Sequence, residues 1–382
     1  MKIGLSTPVI QRGKTGVAQY VFALLKALIP QLGPHELHLF VMEEDQPLFD
    51  FAKGSAHIHL VPERERPAVR NILWHQRVLP SLARNLTLNV LHVPSYRRML
   101  WRKPCGMVST IHDLAPFRVT GKYDWKRMFY GRVVVRRLAR RQDHVIAVSE
   151  NTARDLGQFF DLHPPRVSVV WNGIDHTRFL PGDRSVALTE ARQKWGLDQP
   201  FFLYVSRLEH PAKNHVRLIE AFDRFKTETS SPWLLALAGS DWHGAEAIHT
   251  AARSAKHQAD IRLLGFVDDA SLPQLYRATE VFVYPSLFEG FGFPPVEAMA
   301  CGCPVICTHR GALREVVGNS ALIVDPESVT DIAAALTKMA RSESERHSWR
   351  AAGFANARRF DWNENARQVL DIYQRVQTLH SR

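Results

Sequence analysis

The stretch Leu287-Phe288-Glu289-Gly290-Phe291-Gly292-Phe293-Pro294-Pro295-Val296-Glu297-Ala298-Met299-Ala300-Cys301-Gly302 decides how the rest of the chain is read. It follows the apolar run Val281 to Pro285, which predicts a buried strand. Gly290-Phe291-Gly292 predicts a loop that lets a ligand come close, and Pro294 or Pro295 predicts the opening of a helix. A strand, a glycine loop and a helix N-terminus form an anion cradle, because unpaired backbone N–H groups and the positive end of the dipole face one point. Glu289 and Glu297 flank this cradle with seven residues between them, and neither carboxylate can help bind phosphate. Their natural partners are hydroxyls, so the stretch predicts a ligand carrying both phosphate and polyol, such as a sugar nucleotide. Each glutamate alone has a plainer explanation: Glu297 as an acidic residue in a first helical turn, Glu289 as a solvated loop charge.

Composition sets the frame around this stretch. A chain of 382 residues suits two domains of ordinary size. Its 45% hydrophobic and 23% charged residues are those of a folded soluble protein. No run approaches the roughly eighteen apolar residues of a membrane span, and Met1-Lys2-Ile3-Gly4-Leu5-Ser6 reads as a first strand, so a cytoplasmic location is expected. Cys301, Cys303 and Cys307, even with His309, lack zinc-site spacing and predict small buried residues; no structural metal is expected. Residues 1–175 carry 25 Lys plus Arg against 14 Asp plus Glu, whereas the remainder is balanced at 24 against 24. The basic half points to a large anionic partner, either lipid headgroups or nucleic acid.

Short apolar runs alternate with helix-length segments, the pattern of doubly wound parallel sheets. Predicted strands are Lys2 to Ser6, Glu36 to Met42, His57 to Val61, Val90 to Val93, Met107 to His112, His144 to Val148 and Val167 to Trp171. A second set comprises Phe201 to Ser206, Leu234 to Ala238, Ile261 to Phe266, Val281 to Pro285, Pro304 to Thr308 and Ala321 to Val324. The break around Phe179-Leu180-Pro181-Gly182-Asp183 separates a first domain, 1–180, from a second, 195–360, with a terminal helix in 361–382 that is free to cross back.

Two basic segments stand out in the first half. Tyr96 to Lys103 mixes Arg97, Arg98, Arg102 and Lys103 with Met99, Leu100 and Trp101, a blend suited to a membrane interface. Lys126 to Arg141 predicts a helix whose Met128, Val134, Val135, Leu138 and Ala139 face the sheet. Its opposite arc carries Lys126, Arg132, Arg136, Arg137, Arg140 and Arg141 around Phe129 and Val133. Cations around apolar side chains suit an anionic bilayer, at about 1 kcal/mol per Lys or Arg. An acidic glycan acceptor or an uncommitted charged surface are the alternatives. Neither segment contains a nucleic-acid module, so no nucleic-acid partner is expected.

Other candidate site residues lie where ligands bind in open α/β sheets, past the carboxyl ends of strands. Gly16 sits in a strand-to-helix turn, Gln11 to Val17; His112 and Asp113 close Ser109-Thr110-Ile111-His112-Asp113-Leu114. Arg207 and Lys213, in Tyr204-Val205-Ser206-Arg207-Leu208-Glu209-His210-Pro211-Ala212-Lys213-Asn214, put two cations where a diphosphate can be gripped.

Glu289 and Glu297, with Gly-Phe-Gly-Phe-Pro-Pro between them, resemble the E-x7-E signature of retaining glycosyltransferases of family GT4. The His112-Asp113 pair, the Arg207 to Lys213 segment, and the strands Trp233 to Gly239 and Ile261 to Phe266 resemble the same family, and the likeness spans nearly the whole chain. Two departures occur: Ser206 stands where Gly is common, and Ala212 where Arg or Glu is frequent.

The resemblance implies a GT-B fold, two Rossmann-like domains facing a cleft, with the donor mainly on the second domain and the acceptor on the first. It implies that Glu297 holds the ribose hydroxyls and Glu289 those of the transferred sugar. Arg207 and Lys213 would neutralise the diphosphate, helped by the N–H groups of Gly290, Phe291 and Gly292. His112 would line the sugar side, and Gly16 would lie near the phosphate or acceptor. The chain has no Asp-x-Asp sequence, so metal-independent transfer without a cofactor is expected. Thr110 to Leu114 and Trp171-Asn172-Gly173-Ile174-Asp175 look most like mannosyltransferases of bacterial polysaccharide assembly. That likeness implies GDP-mannose first and a UDP-sugar second, a lipid-linked or cell-surface glycan acceptor, and action at the inner face of the cytoplasmic membrane. A UDP-sugar epimerase on the same architecture and a non-catalytic nucleotide- or nucleic-acid-binding protein are the alternative readings.

Overall fold

The computed structural model describes residues 1–13, 15–118 and 130–380. Two compact units share the chain: Met1–Gly173 with Asp361–Arg382, and Ile174–Phe360. The division thus falls between Gly173 and Ile174, and Arg184–Trp195, inside the span read as a break, is a helix of the second unit.

The first unit is built on a seven-stranded parallel sheet: β1 (Lys2–Ser6), β2 (Glu36–Met42), β3 (His57–Val61), β4 (Val90–Val93), β5 (Gly106–Ile111), β6 (His144–Ala147) and β7 (Val167–Val169). Their spatial order is β3-β2-β1-β4-β5-β6-β7. Central strands are continuous apolar runs because parallel sheets are covered on both faces; all of β4, β5 and β6 is buried. Helix α1 (Gly16–Leu28) starts where the Thr15 hydroxyl accepts the Ala18 N–H at 3.2 Å. It buries Val21, Leu24, Leu25 and Leu28, an i, i+3, i+4, i+7 stripe. The terminal helix Trp362–His380 adds Ala366, Val369, Ile372, Tyr373 and Val376 to the same core.

The second unit has six parallel strands: β8 (Phe201–Val205), β9 (Leu234–Ala238), β10 (Ile261–Gly265), β11 (Val281–Tyr284), β12 (Val305–Cys307) and β13 (Leu322–Ile323). The order β10-β9-β8-β11-β12-β13 reverses between β8 and β11, which pair through Val281 and Phe202. Connections leave this point towards opposite sides, so a crevice opens beyond the carboxyl ends of the two strands. The segment with Arg207 and Lys213 follows β8, and the segment with Glu289 follows β11. An equivalent reversal between β1 and β4 lies beside the Gly16 turn in the first unit. Predicted and observed strands agree except at their ends. The strand read to Trp171 stops at Val169, and the one read as Ala321 to Val324 keeps two residues, both at sheet edges with one neighbour to pair with.

Helix α2 (His215–Thr229) is joined to this crevice by Asn214, which is 3% exposed and holds a left-handed backbone at φ +62°. Its Nδ2 donates to the Pro285 carbonyl at 3.0 Å and to the Pro326 carbonyl at 2.7 Å, fastening the end of β11 to the turn after β13. Replacing Asn214 with Ala orphans two buried carbonyls and leaves the strained backbone, so a loss of about 2–4 kcal/mol is expected in urea unfolding; a loss below about 0.5 kcal/mol would contradict this role.

Candidate active site

In the second unit, the strand β8 ends in a turn that only a glycine opposite it allows. Gly239 sits at φ +155°, and a Cβ there would lie 1.9 Å from the Ser206 carbonyl oxygen and 3.1 Å from the Arg207 nitrogen. Ser206 therefore fits where the family commonly has glycine, since the space is made across the sheet. The Arg207 guanidinium lies 4.7 Å from the Trp242 ring and donates to Glu209 at 3.2 Å. Its side chain remains 45% exposed, available to an anion. Ala212, the other departure, is buried, and its carbonyl accepts the Leu287 N–H at 3.0 Å.

Lys213 and Glu289, brought together by the neighbouring β8 and β11, form the centre of the arrangement. Lys213 Nζ donates to Glu289 Oε1 at 2.6 Å, and both side chains are only 14% exposed. Oε1 also accepts the Tyr284 hydroxyl at 2.9 Å and the Ser286 hydroxyl at 2.6 Å. Burial raises the Glu289 pKa, but Lys213 and these hydroxyls outweigh it and hold the carboxyl below its ordinary value. Three donors converge on one oxygen, and among the described residues Oε2 has no donor, which leaves it to accept a hydroxyl from a ligand. The pair is weak as a source of stability, because two charges have been taken from water. It fixes the direction of a carboxylate.

The cradle differs from the sequence reading in two respects. Helix α3 (Phe293–Ala300) begins before the prolines, so Pro294 and Pro295 occupy its second and third positions and supply no N–H. Donors are confined to the residues ahead of them; among the described residues the N–H groups of Gly290, Phe291 and Gly292 carry no hydrogen bond. Gly292, at φ +100°, caps the helix, and a Cβ there would lie 2.6 Å from Leu313. The Phe291 ring is buried against Phe293 and Phe360, at 5.2 and 5.5 Å, so it offers a ligand only its backbone.

Glu297 is the fifth residue of α3, beyond the first turn, and the helix dipole does not explain it. Its Oε2 accepts the Tyr276 hydroxyl at 3.0 Å. Burial pushes its pKa up to about 7, against the Tyr276 hydrogen bond and the positive charge of Arg178. A half-buried carboxyl with one hydrogen-bond donor among the described residues suits a partner bringing further hydroxyls.

In the first unit, Gly16 opens α1 and a Cβ there would meet nothing within 4 Å, so the turn lies beside open space. His112 follows β5; its Nε2 donates to the Pro94 carbonyl at 3.2 Å, and its ring meets Tyr20 edge-on at 4.8 Å. Burial lowers its pKa to about 4, so the ring is neutral near pH 7 with Nδ1 as acceptor. Behind it runs a buried chain: Tyr20 to Thr110 at 3.0 Å, Thr110 to His92 at 2.8 Å and His92 to Tyr373 at 2.6 Å. Tyr284, Ser286, Tyr276, Gly239 and this chain are supporting residues that motif spacing passes over. The one available signal was Tyr284 and Ser286, two hydroxyls on one face where β11 ends.

The basic segments are less exposed than expected. Met99 and Leu100 are core residues, and Arg98 is half-buried and bound to Asn71. Lys103 pairs with Asp143 at 2.6 Å, and Arg141 lies 4.6 Å from the Trp101 ring. Of the helix read from Lys126, residues 126–129 lie outside the described residues. Tyr130–Val135 forms a π-helical turn and Arg136–Ala139 an α-helical one, with Val135, Leu138 and Ala139 buried. Arg140 is tied to Phe160 and Asp161. Trp101, Arg102, Arg132, Arg136 and Arg137 remain exposed. No helix among the described residues is long and apolar enough to cross a membrane.

Glu297 makes stability depend on pH with a definite sign. Its folded pKa of about 7 lies above the ordinary carboxyl value, so it does not destabilise the fold in acid and weakens it as pH rises through that value. Glu297→Gln removes the ionisation: at pH 8.5 the variant is expected to exceed the parent by roughly 1–3 kcal/mol in urea unfolding, with the gap closing by pH 5. A constant gap would refute the raised pKa.

Residues 188–356 match the family Glycosyl transferases group 1, and residues 14–178 match Glycosyltransferase Family 4. The O-antigen chain mannosyltransferase B of Escherichia coli is 27% identical over 98% of this chain and its own whole length. Among solved structures, sucrose-phosphate synthase from Thermosynechococcus elongatus superimposes with a TM-score of 0.79 at 19% identity, over 99% of this chain and 100% of that one. Anabaena Alr3699/HepE, in complex with UDP and glucose, gives 0.77 at 19% identity over 98% and 99%. At such identities the structures speak for the fold alone, which is GT-B. Matched in both units by these families, the chain belongs to the GT4 glycosyltransferases.

Proposed function

We propose that this glycosyltransferase is a retaining, metal-independent hexosyltransferase that moves mannose from GDP-mannose to a lipid-linked or cell-surface glycan. The observation that carries the reading is the convergence of Lys213, Tyr284 and Ser286 on one oxygen of Glu289. It leaves the other oxygen for a sugar hydroxyl, next in sequence to the unbonded amides of Gly290 to Gly292. Glu297 takes the ribose hydroxyls, and neutral His112 accepts a hydroxyl of the sugar through Nδ1. As the bond from the sugar to the diphosphate breaks, negative charge grows on the leaving group. Arg207 and Lys213 stabilise that charge from fixed positions, at about 3–4 kcal/mol for each such donor. Lys213 thus serves two anions, orienting Glu289 while facing the diphosphate.

Mannose is favoured by the E. coli relative, a mannosyltransferase aligned along its whole length, and by the likeness of Thr110 to Leu114. A UDP-sugar is the second choice, since the Anabaena neighbour binds UDP and glucose. Contact with an anionic membrane, at its cytoplasmic face, rests on narrower ground than the charge count suggested. Its support is the exposed Arg102, Arg132, Arg136 and Arg137 with Trp101, 44% exposed, beside a groove lined by Ile72, Pro80, Val134 and Leu138.

The donor is tested by a thermal-shift panel of GDP- and UDP-sugars, in which a ligand at a hundred times its Kd stabilises by about 2.7 kcal/mol. GDP-mannose is expected to give the largest shift, and a flat panel would count against a sugar-nucleotide donor. Arg207→Ala and Lys213→Ala are each expected to lower donor turnover about 10²–10³-fold with the fold intact by circular dichroism. Arg207 is the cleaner probe, because losing Lys213 also unpairs Glu289; near-normal turnover in Arg207→Ala would refute the leaving-group role. Flotation with vesicles rich in phosphatidylglycerol should show binding that weakens with salt and falls in Arg136→Glu/Arg137→Glu. Binding unchanged in that variant would exclude this surface.

A further inference from the structure

Four titratable side chains gather at the amino-terminal edge of the first sheet: Glu36 and His38 on β2, His57 and His59 on β3. The two strands are parallel, with His38 paired to His57 and Phe40 to His59. Residues two apart on a strand share a face, which puts Glu36 beside His38 and His57 beside His59. The His38 ring stacks on His57 at 4.9 Å and on His59 at 5.3 Å. One ligand atom from each of Glu36, His38 and His57 lies within 4.8 Å of the other two, and Glu36 Oε2 is 3.8 Å from His38 Nε2.

His38 shows what the cluster lacks. It is 5% exposed, and its Nε2 is buried with no hydrogen-bond partner among the described residues, an arrangement that costs free energy unless something fills it. Its other nitrogen, Nδ1, lies 3.0 Å from His59 Nε2. With the proton on Nδ1 donated to His59, Nε2 keeps a bare lone pair, and Glu36 Oε2 lies 3.8 Å from that nitrogen. A metal-binding imidazole is held in this way, with its second nitrogen fixed by a hydrogen bond that sets tautomer and orientation. Lys2 Nζ, 3.9 Å from Glu36 Oε2, is the one competing cation described there, and its 39% exposed side chain can turn to water.

We propose that Glu36, His38 and His57 bind a divalent transition ion of the zinc class, with water completing its coordination. Two imidazoles and one carboxylate favour zinc, cobalt, nickel or copper over magnesium and calcium. Glu36 and His57 are exposed first residues of their strands and can close on the ion by side-chain rotation. Strand β3 is the sheet edge, paired among the described residues with β2 alone, so the ion ties that edge to the sheet. The site lies at the amino ends of β2 and β3, whereas His112 follows the carboxyl end of β5, so the ion plays no part in sugar transfer. The expectation of no structural metal came from cysteine spacing and did not weigh this cluster, which unites residues from two strands.

The test uses the full chain without an affinity tag. Calorimetric titration with zinc and visible absorption with cobalt are expected to show one ion per chain. His57→Ala and Glu36→Gln, both at exposed positions, should each weaken binding at least about tenfold. Zinc should raise the melting temperature of the parent and leave that of the double variant unchanged. Donor turnover should be the same with and without a chelator. Absence of binding, or an affinity unchanged in both variants, would overturn the proposal.

Discussion

The candidate site depends on one buried ion pair, Lys213 with Glu289. Its members are 76 residues apart in the chain and meet because the second sheet reverses its order between β8 and β11. Two partly desolvated charges contribute little net stability, and the surrounding hydroxyls of Tyr284 and Ser286 are what make the arrangement tolerable. Its effect is directional. A carboxylate with one oxygen saturated has a single orientation left in which to meet a ligand, and a lysine with a fixed partner cannot wander into solvent. Preorganisation of this kind is what electrostatic catalysis requires, since groups already in place need not rearrange as charge develops.

The geometry around the pair is maintained by groups with no chemistry of their own. Gly239 leaves room for the turn that carries Arg207, and Asn214 binds the end of β11 to the turn after β13. In the first unit the chain from Tyr20 through Thr110 and His92 to Tyr373 links three hydroxyls through one imidazole, each buried and each partnered. A fully satisfied buried network has one arrangement, and it fixes the wall against which the His112 ring rests.

The strands were legible because parallel strands covered on both faces must be apolar throughout, and β4, β8, β9 and β11 stand out as such runs. The edge strands β7 and β13 were read too long, since half of their pairing partners are missing and sequence does not record that. Arg207, Lys213, Glu289 and Glu297 could be named from their motifs, but neither the Lys213 to Glu289 contact nor the Tyr276 donor is encoded in spacing. Leu100 was misjudged for a physical reason: an apolar residue among arginines can be exposed or can anchor its loop in the core. Only packing distinguishes the two. The start of α3 was placed at the prolines, and moving it to Phe293 sets Glu297 deeper in the helix and puts the two prolines, which have no N–H, at its second and third positions.

The deeper position of Glu297 bears on the energetics of donor capture. A carboxyl titrating near 7 is partly protonated at physiological pH. Under the proposed assignment it meets ribose hydroxyls, which donate better to the ionised form. Nucleotide binding then expels a fraction of a proton into the medium. The heat of that event includes the ionisation heat of the buffer, so the measured binding enthalpy varies from one buffer to another at constant pH, and the nucleotide is held less tightly as the solution turns acid.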